Sequence, residues 1–250
     1  MPYSKPLDLS QIERVHIIGN GNVAMDVARI LASPLDRLVK TDIDTDALSA
    51  LSKSKIKEID IIGRRGPVQA AMSVKELRYL TSIPGLSLRV FQDEIDKGLN
   101  LNSIKEGEIQ SIPTNQIQRA KRRLFDLMNS LPRVHSPEAR VKINLRFLLN
   151  PEFIEPPKVG FRKTSLSGEL NNQSFDLTDE REVVKSDLVI RSIGYKSEKI
   201  DENLPFDDET GTVLNVGGKI ENNCFVAGWA RTGPFGVVDT TMRSVFVFDI

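Results

Sequence analysis

Apolar and polar positions change period in a regular way along this chain. Arg14-Val15-His16-Ile17-Ile18-Gly19 is a short β-branched run closed by glycine, and Val23 to Leu31 carries apolar residues at helical spacing. The pattern predicts strand, turn and helix, with Pro34 ending the helix. Leu35 to Lys55 reads as a polar insertion holding a short helix around Asp46 to Ser52. A second β-branched run, Glu58 to Gly63, leads through Arg64-Arg65-Gly66-Pro67 to a helical stretch over Val74 to Thr81, and Leu86 to Phe91 reads as a third strand. Such alternation predicts an α/β fold, a doubly wound parallel sheet with right-handed crossovers.

Residues 92–118 lose periodicity and fill with Asn, Gly, Ser and Lys, which predicts an exposed loop; a basic helix follows near Gln116 to Ser130. Arg140 to Asn150 and Glu182 to Ile193 read as strands, with a polar excursion at 164–178 that has the composition of a hairpin. Cys224 to Trp229 reads as a last strand, followed by a glycine-rich turn and a helix opening near Val237.

Composition narrows the function classes. Two hundred and fifty residues, 40% hydrophobic and 27% charged, suit a soluble globular chain of one large or two modest domains. The 34 basic and 34 acidic residues cancel, so no global field draws the chain to nucleic acid or to an anionic membrane. A single cysteine, Cys224, excludes a disulfide framework and any cysteine-built zinc or iron–sulfur site, and reads as a small hydrophobe. No apolar run approaches the roughly 20 residues that span a bilayer. The opening Met1-Pro2-Tyr3-Ser4-Lys5 has the form of neither a signal peptide nor an Arg-rich presequence. His16 and His135 have no neighbours in sequence that suggest catalysis, and no set of residues reads as a metal site.

Two motifs carry chemistry. Gly19-Asn20-Gly21-Asn22-Val23-Ala24 is a G-x-G-x-x-A pattern between strand and helix. There the first glycine allows a tight turn, the second admits a pyrophosphate, and Ala24 permits close helix packing. A glycine turn in any α/β domain is the competing reading. The second motif, Gly63-Arg64-Arg65-Gly66, stands where dinucleotide folds that bind NAD carry an acidic residue for the free ribose hydroxyl. Two guanidinium groups at that place suit a 2′-phosphate instead, which favours NADP over NAD; a basic solvated turn is the alternative.

These stretches, with Thr41-Asp42-Ile43, the run from Gly63 to Arg78, Arg191 to Ser197, and Val226 to Val238, resemble the NADP-binding part of the adrenodoxin reductase family, the NADPH–ferredoxin oxidoreductases. The resemblance runs from near residue 12 to near 245 with a diffuse middle. It implies a Rossmann-like NADP domain over 1–193 and, over 194–250, the C-terminal part of an incomplete FAD-binding domain whose first segment this chain lacks. By position it places Gly19, Asn20, Gly21 and Asn22 along the NADP pyrophosphate, Arg64 and Arg65 on the 2′-phosphate, and Glu76 against the cofactor. It places Trp229, Gly236, Val237 and Val238 at FAD, with Gly236 also near the nicotinamide. No protein acid, base or nucleophile is implied, because NADPH and FAD supply the chemistry.

Arg78 and the run Arg119-Ala120-Lys121-Arg122-Arg123 concentrate positive charge in a neutral chain. The resemblance implies that Arg78, Arg119, Arg122 and Arg123 dock an acidic ferredoxin or adrenodoxin-like iron–sulfur protein; a solvated helix face is the plainer reading. It also implies a mitochondrial matrix setting with loose inner-membrane association. A binding module that holds NADP(H) without reductase activity stands as the alternative function. A relative feeding another acceptor, like the small subunit of glutamate synthase, fits less well because the cysteine clusters are missing. Residues 194–250 are expected to present apolar surface.

Overall fold

The computed structural model describes residues 7–98, 116–168, 173–221, 223–234 and 242, with the side chains of 116–120 outside that description. The chain divides into two compact units, Met1–Ile193 and Gly194–Ile250.

A parallel five-stranded sheet forms the centre of the first unit. Its strands are β1 (Arg14–Ile18), β2 (Glu58–Ile62), β3 (Leu86–Val90), β4 (Val141–Arg146) and β8 (Leu188–Arg191), in the spatial order β3-β4-β2-β1-β8. Period-two alternation gives the sheet two different faces. On one face Val15, Ile17, Ile59, Ile61, Ile143 and Leu145 pack against Ala24, Met25 and Ala28 of α1 (Asn22–Ala32), Leu77 and Leu80 of α4 (Val74–Thr81), and Leu124 and Met128 of α6 (Gln116–Ser130). This is the main core, and small residues on α1 let that helix lie close to the strands.

The opposite face is covered at its carboxyl end by an antiparallel sheet rather than by helices. Strands β5 (Leu149–Glu155), β6 (Lys158–Ser167) and β7 (Ser174–Lys185) form it, and Leu149, Val159 and Phe161 close over Ile18 and Ile62. Towards the amino end this face is polar. Buried His16 lies between Ser186 Oγ (2.9 Å) and Asp60 (3.2 Å), and Asn144 bridges Glu58 and Asp60. Burial opposes the Asp60 charge, yet the hydrogen bond and charge of His16, with help from Asn144 and Arg146, hold its carboxyl below the ordinary carboxylate range.

The chain differs from the sequence expectations at four places. The insertion after Pro34 contains two helices, α2 (Leu35–Leu38) and α3 (Thr45–Ser52), the latter capped by the Asp44 carboxylate accepting from the Asp46 and Ala47 amides. Gln92–Gly98, expected as loop, is helix α5; it buries Ile95 and Glu94, and residues 99–115 lie outside the described residues. The stretch 140–150 is two strands, because the chain turns out of the parallel sheet at Leu148, whose φ is +57°. Likewise 182–193 is shared between β7 and β8.

The second unit holds two-residue and three-residue strands, β9 (Phe206–Asp207) with β10 (Thr212–Val213) and β11 (Lys219–Glu221) with β12 (Cys224–Phe225), and a one-turn helix α7 (Trp229–Thr232). The strand expected from Cys224 is thus two residues long, and the helix expected near Val237 lies outside the described residues. Val213 and Val226 are its buried hydrophobic residues among those described, while Tyr195, Ile200, Leu214 and Val216 are exposed.

Candidate nucleotide-binding crevice

β1 and β2 are paired in register, Ile18 opposite Ile62, so the loops that follow them leave the sheet side by side. Gly19 N–H donates to the Ile62 carbonyl at 2.8 Å, and the Asn20 amide occupies the space that a Cβ on Gly63 would need. On the other side of β1, the Ser192 amide donates to Ile18 O at 2.7 Å. The glycine turn therefore sits between the ends of β2 and β8: the chain leaves β1 towards β2 on one side and returns as β8 on the other, and such a reversal is the usual place for a ligand crevice in open α/β sheets.

The two glycines of the turn meet different constraints. Gly19 has φ +113°, and a Cβ there would lie 1.9 Å from the Ser192 carbonyl oxygen. Gly21 adopts ordinary extended φ as the N-cap of α1, and a Cβ on it would meet nothing closer than Ala71 Cβ at 3.9 Å. Open space thus faces an eleven-residue helix start that no side chain caps. That combination of free amides and the positive end of the helix dipole suits a phosphate.

Asn22, the next residue, has its side chain committed, since its Oδ1 accepts from the Ser73 amide at 2.7 Å. Ser73 in turn caps α4 by accepting from the Glu76 amide at 3.2 Å, the S-x-x-E arrangement that starts helices. Asn22 consequently fastens the start of α4 to the start of α1, and Glu76 stands half-buried in the first turn of α4.

Arg64 and Arg65 are both exposed at the carboxyl end of β2. Among the described residues neither has a carboxylate within ion-pair distance. Partial burial, and then the charge of Arg64, hold Arg65 below the ordinary arginine value. Two mutually repelling guanidiniums at one turn, without a carboxylate partner among the described residues, have the chemistry that suits an anion. Their backbone is held from the antiparallel sheet: Thr164 Oγ1 donates to Arg64 O at 2.8 Å, Leu148 N to Arg65 O at 3.3 Å, and Leu149 N to Gly63 O at 3.2 Å. The Arg64 guanidinium lies over the Phe175 ring, 4.9 Å from its centroid. Phe175 and Thr164 carried no signal in the sequence, because they reach the loop from about a hundred residues downstream.

The remaining candidates divide. Trp229 is half exposed and stacks on Tyr195 with ring centroids 6.5 Å apart. Gly236, Val237 and Val238 lie outside the described residues, as does the Arg119 side chain. Arg78 on α4 and Arg122 and Arg123 on α6 are exposed, and the two helices pack against each other. The His16 cluster has the residue types of a serine hydrolase triad, but the Ser186 hydroxyl is buried and donates to Leu188 O at 3.1 Å. It holds the sheet together and is not a nucleophile.

No protein-family model matches the chain. It is, however, 37% identical over 242 residues to the mitochondrial NADPH:adrenodoxin oxidoreductase of Drosophila melanogaster, over 93% of this chain and 48% of that protein. It is also 36% identical over 243 residues to the NADPH-ferredoxin reductase FprA of Mycobacterium tuberculosis, over 94% of this chain and 50% of that one. Over that shared length the chain belongs to the adrenodoxin reductase family. The architecture agrees: a solved mutant of FprA superposes with a TM-score of 0.81 at 34% identity, covering 96% of this chain and 52% of FprA. FprA in complex with NADPH superposes with a TM-score of 0.78. The chain spans about half the length of the adrenodoxin reductases it matches. No helix among the described residues is long and apolar enough to cross a membrane.

Proposed function

We propose that this chain carries the NADP-binding domain, over 1–193, of an NADPH-dependent flavoprotein reductase that passes electrons through FAD to a ferredoxin or adrenodoxin-type iron–sulfur protein. The observation that carries the reading is the Arg64–Arg65 pair, without carboxylate partners among the described residues, at the end of the strand beside the glycine turn. Because the two loops leave neighbouring strands side by side, the diphosphate would lie against Gly19 to Asn22 and the ribose phosphate against the arginines. Glu76, in the first turn of α4, would contact the cofactor from the neighbouring helix. NADPH supplies a hydride when bound there, and the residues of this crevice only bind and orient it.

FAD enters the proposal through the family alone. Trp229 on its Tyr195 platform, with Gly236, Val237 and Val238, would meet the flavin, and residues 194–250 would be part of the domain holding it. Arg78, Arg119, Arg122 and Arg123 would steer an acidic partner by long-range attraction, which raises encounter rate more than affinity. The curated relatives from flies, mammals and plants are named as mitochondrial and FprA is bacterial; the mitochondrial matrix, with loose inner-membrane association, is the setting we propose. A second reading, an NADP(H)-binding module without reductase activity of its own, is favoured by one observation. The crevice loops and both core clusters of the first unit come entirely from residues before 194.

Titration with NADPH and NADH tests the proposal. The unmodified chain is expected to prefer NADPH by about a hundredfold, the scale of one or two charge-assisted phosphate contacts, and Arg64→Ala/Arg65→Ala to erase most of that preference. Equal binding of both nucleotides by the unmodified chain would overturn it. Flavin fluorescence of the purified protein and NADPH-driven reduction of a one-electron acceptor then separate reductase from binding module.

A further inference from the structure

The loop that carries the two arginines is shaped less by the parallel sheet it follows than by the antiparallel sheet that covers it. Three consecutive carbonyls, those of Gly63, Arg64 and Arg65, accept hydrogen bonds from Leu149 N, Thr164 Oγ1 and Leu148 N. Thr164 is buried, and its own amide donates to Leu148 O at 2.9 Å, so the strand, the turn and the loop are tied at one point. The β6–β7 register shifts by two residues between Arg162 and Thr164, with the extra residues on β7, an irregularity of the kind that re-aims side chains. Further along the loop, Gln69 donates to Gln173, which lies just before the start of β7 and two residues before Phe175.

Resting on the NADP reading above, we infer that Phe175 and Thr164 are positioning residues that set this site's preference for a 2′-phosphorylated nucleotide. A guanidinium lying flat on an aromatic face keeps its N–H groups in plane with their outer edge free for an anion. Without the ring, a long exposed arginine spreads over many rotamers and loses the entropy of ordering when it grips the phosphate. Phe175 pre-pays that cost, and Thr164 fixes the backbone from which Arg64 projects. The other two ring-stacked arginines of the sheet region, Arg89 and Arg146, share Phe91 and are engaged by Asn144 and by Glu94 and Glu182. Arg64 also lies over a ring, but among the described residues no carboxylate pairs with it.

Calorimetric titration of the full chain with adenosine 2′,5′-bisphosphate and with AMP isolates the effect, since the two probes differ by the 2′-phosphate alone. Phe175→Leu is expected to weaken the bisphosphate by about three- to tenfold while leaving AMP unchanged, Phe175→Tyr to restore the difference, and Thr164→Val to act in the same direction as Phe175→Leu. Phe175 is half-buried, so the leucine variant keeps its apolar contact and its melting curve serves as the folding control. Equal weakening of both probes would overturn the inference by showing that Phe175 touches the part of the nucleotide they share. An unchanged ratio in Phe175→Leu, with Arg64→Ala/Arg65→Ala still abolishing the preference, would overturn it and leave the NADP reading standing. No preference in the unmodified chain would remove both.

Discussion

Gly19 and Gly21 look interchangeable in the sequence, but the structure separates their duties. Gly19 is required by the protein itself, through its positive φ and the Ser192 carbonyl pressed against it. Gly19→Ala is expected to cost more than about 3 kcal/mol, from backbone strain and overpacking together, read as a large loss in urea or thermal midpoint. Gly21 has room around it, so the fold itself does not require glycine there and, on the proposed reading, a ligand would. Gly21→Ala should melt within a few degrees of the unmodified chain and yet bind NADPH about tenfold or more weakly, a difference of about 1.4 kcal/mol; unchanged binding would remove the pyrophosphate from that turn. At this scale the sequence exposed residues whose type is unusual for their place: glycines before a helix, paired arginines after a strand. It concealed Phe175, Thr164, Ser192 and the His16–Asp60 pair, all ordinary residue types whose meaning comes from contacts distant along the chain.

Helix α5 shows why some elements escaped sequence reading. Gln92-Asp93-Glu94-Ile95-Asp96-Lys97-Gly98 offers a single large apolar residue, too few for a helical period. The helix is held by its acid instead: Glu94 accepts from Arg146 Nε and from the Phe147 amide, both at 2.7 Å. Arg146 also pairs with Glu182 at 2.9 Å, so two carboxylates share one guanidinium. Burial pushes the Glu94 carboxyl up to about 7, against the pull of Arg146 and the Phe147 amide. A carboxyl raised in the folded state takes up protons on folding, so its contribution is complete below pH 4.5 and is lost as pH rises through about 7. Stability should accordingly fall between those values, by at most about 3 kcal/mol. Glu94→Gln, which keeps an acceptor for the Phe147 amide, should flatten that slope in denaturant melts taken from pH 4.5 to 8. By contrast β1, β2, α1 and α4 carried strong periodicity with caps or breakers, and their limits fell within a residue of the pattern. The antiparallel sheet was visible only as a polar hairpin, since its strands lack regular alternation.

For the whole molecule, the two units differ in how far they can stand alone. Both core clusters belong to residues before 194, whereas the second unit buries few large apolar side chains among those described and exposes Tyr195, Ile200 and Val216. A chain ending at Ile193 should therefore unfold cooperatively and keep its nucleotide affinity, and residues 194–250 by themselves should show no thermal transition by circular dichroism. Loss of NADPH binding in the shorter chain would show that the second unit contributes to the crevice. The α/β class and the glycine turn were legible from local pattern, but the covering sheet and the order of strands were not, because they depend on which distant segments return to which edge. β8 is the clearest instance. Arg14 and Asp187 are joined across 173 residues, and Ser192 forms one wall of the glycine turn. During synthesis the strand that begins the fold thus waits with one edge open until nearly the entire first unit has left the ribosome, and pairing at such separation is slow. A nucleotide held at that turn would recognise only a finished sheet, so its binding energy would fall wholly on chains whose last strand has come home.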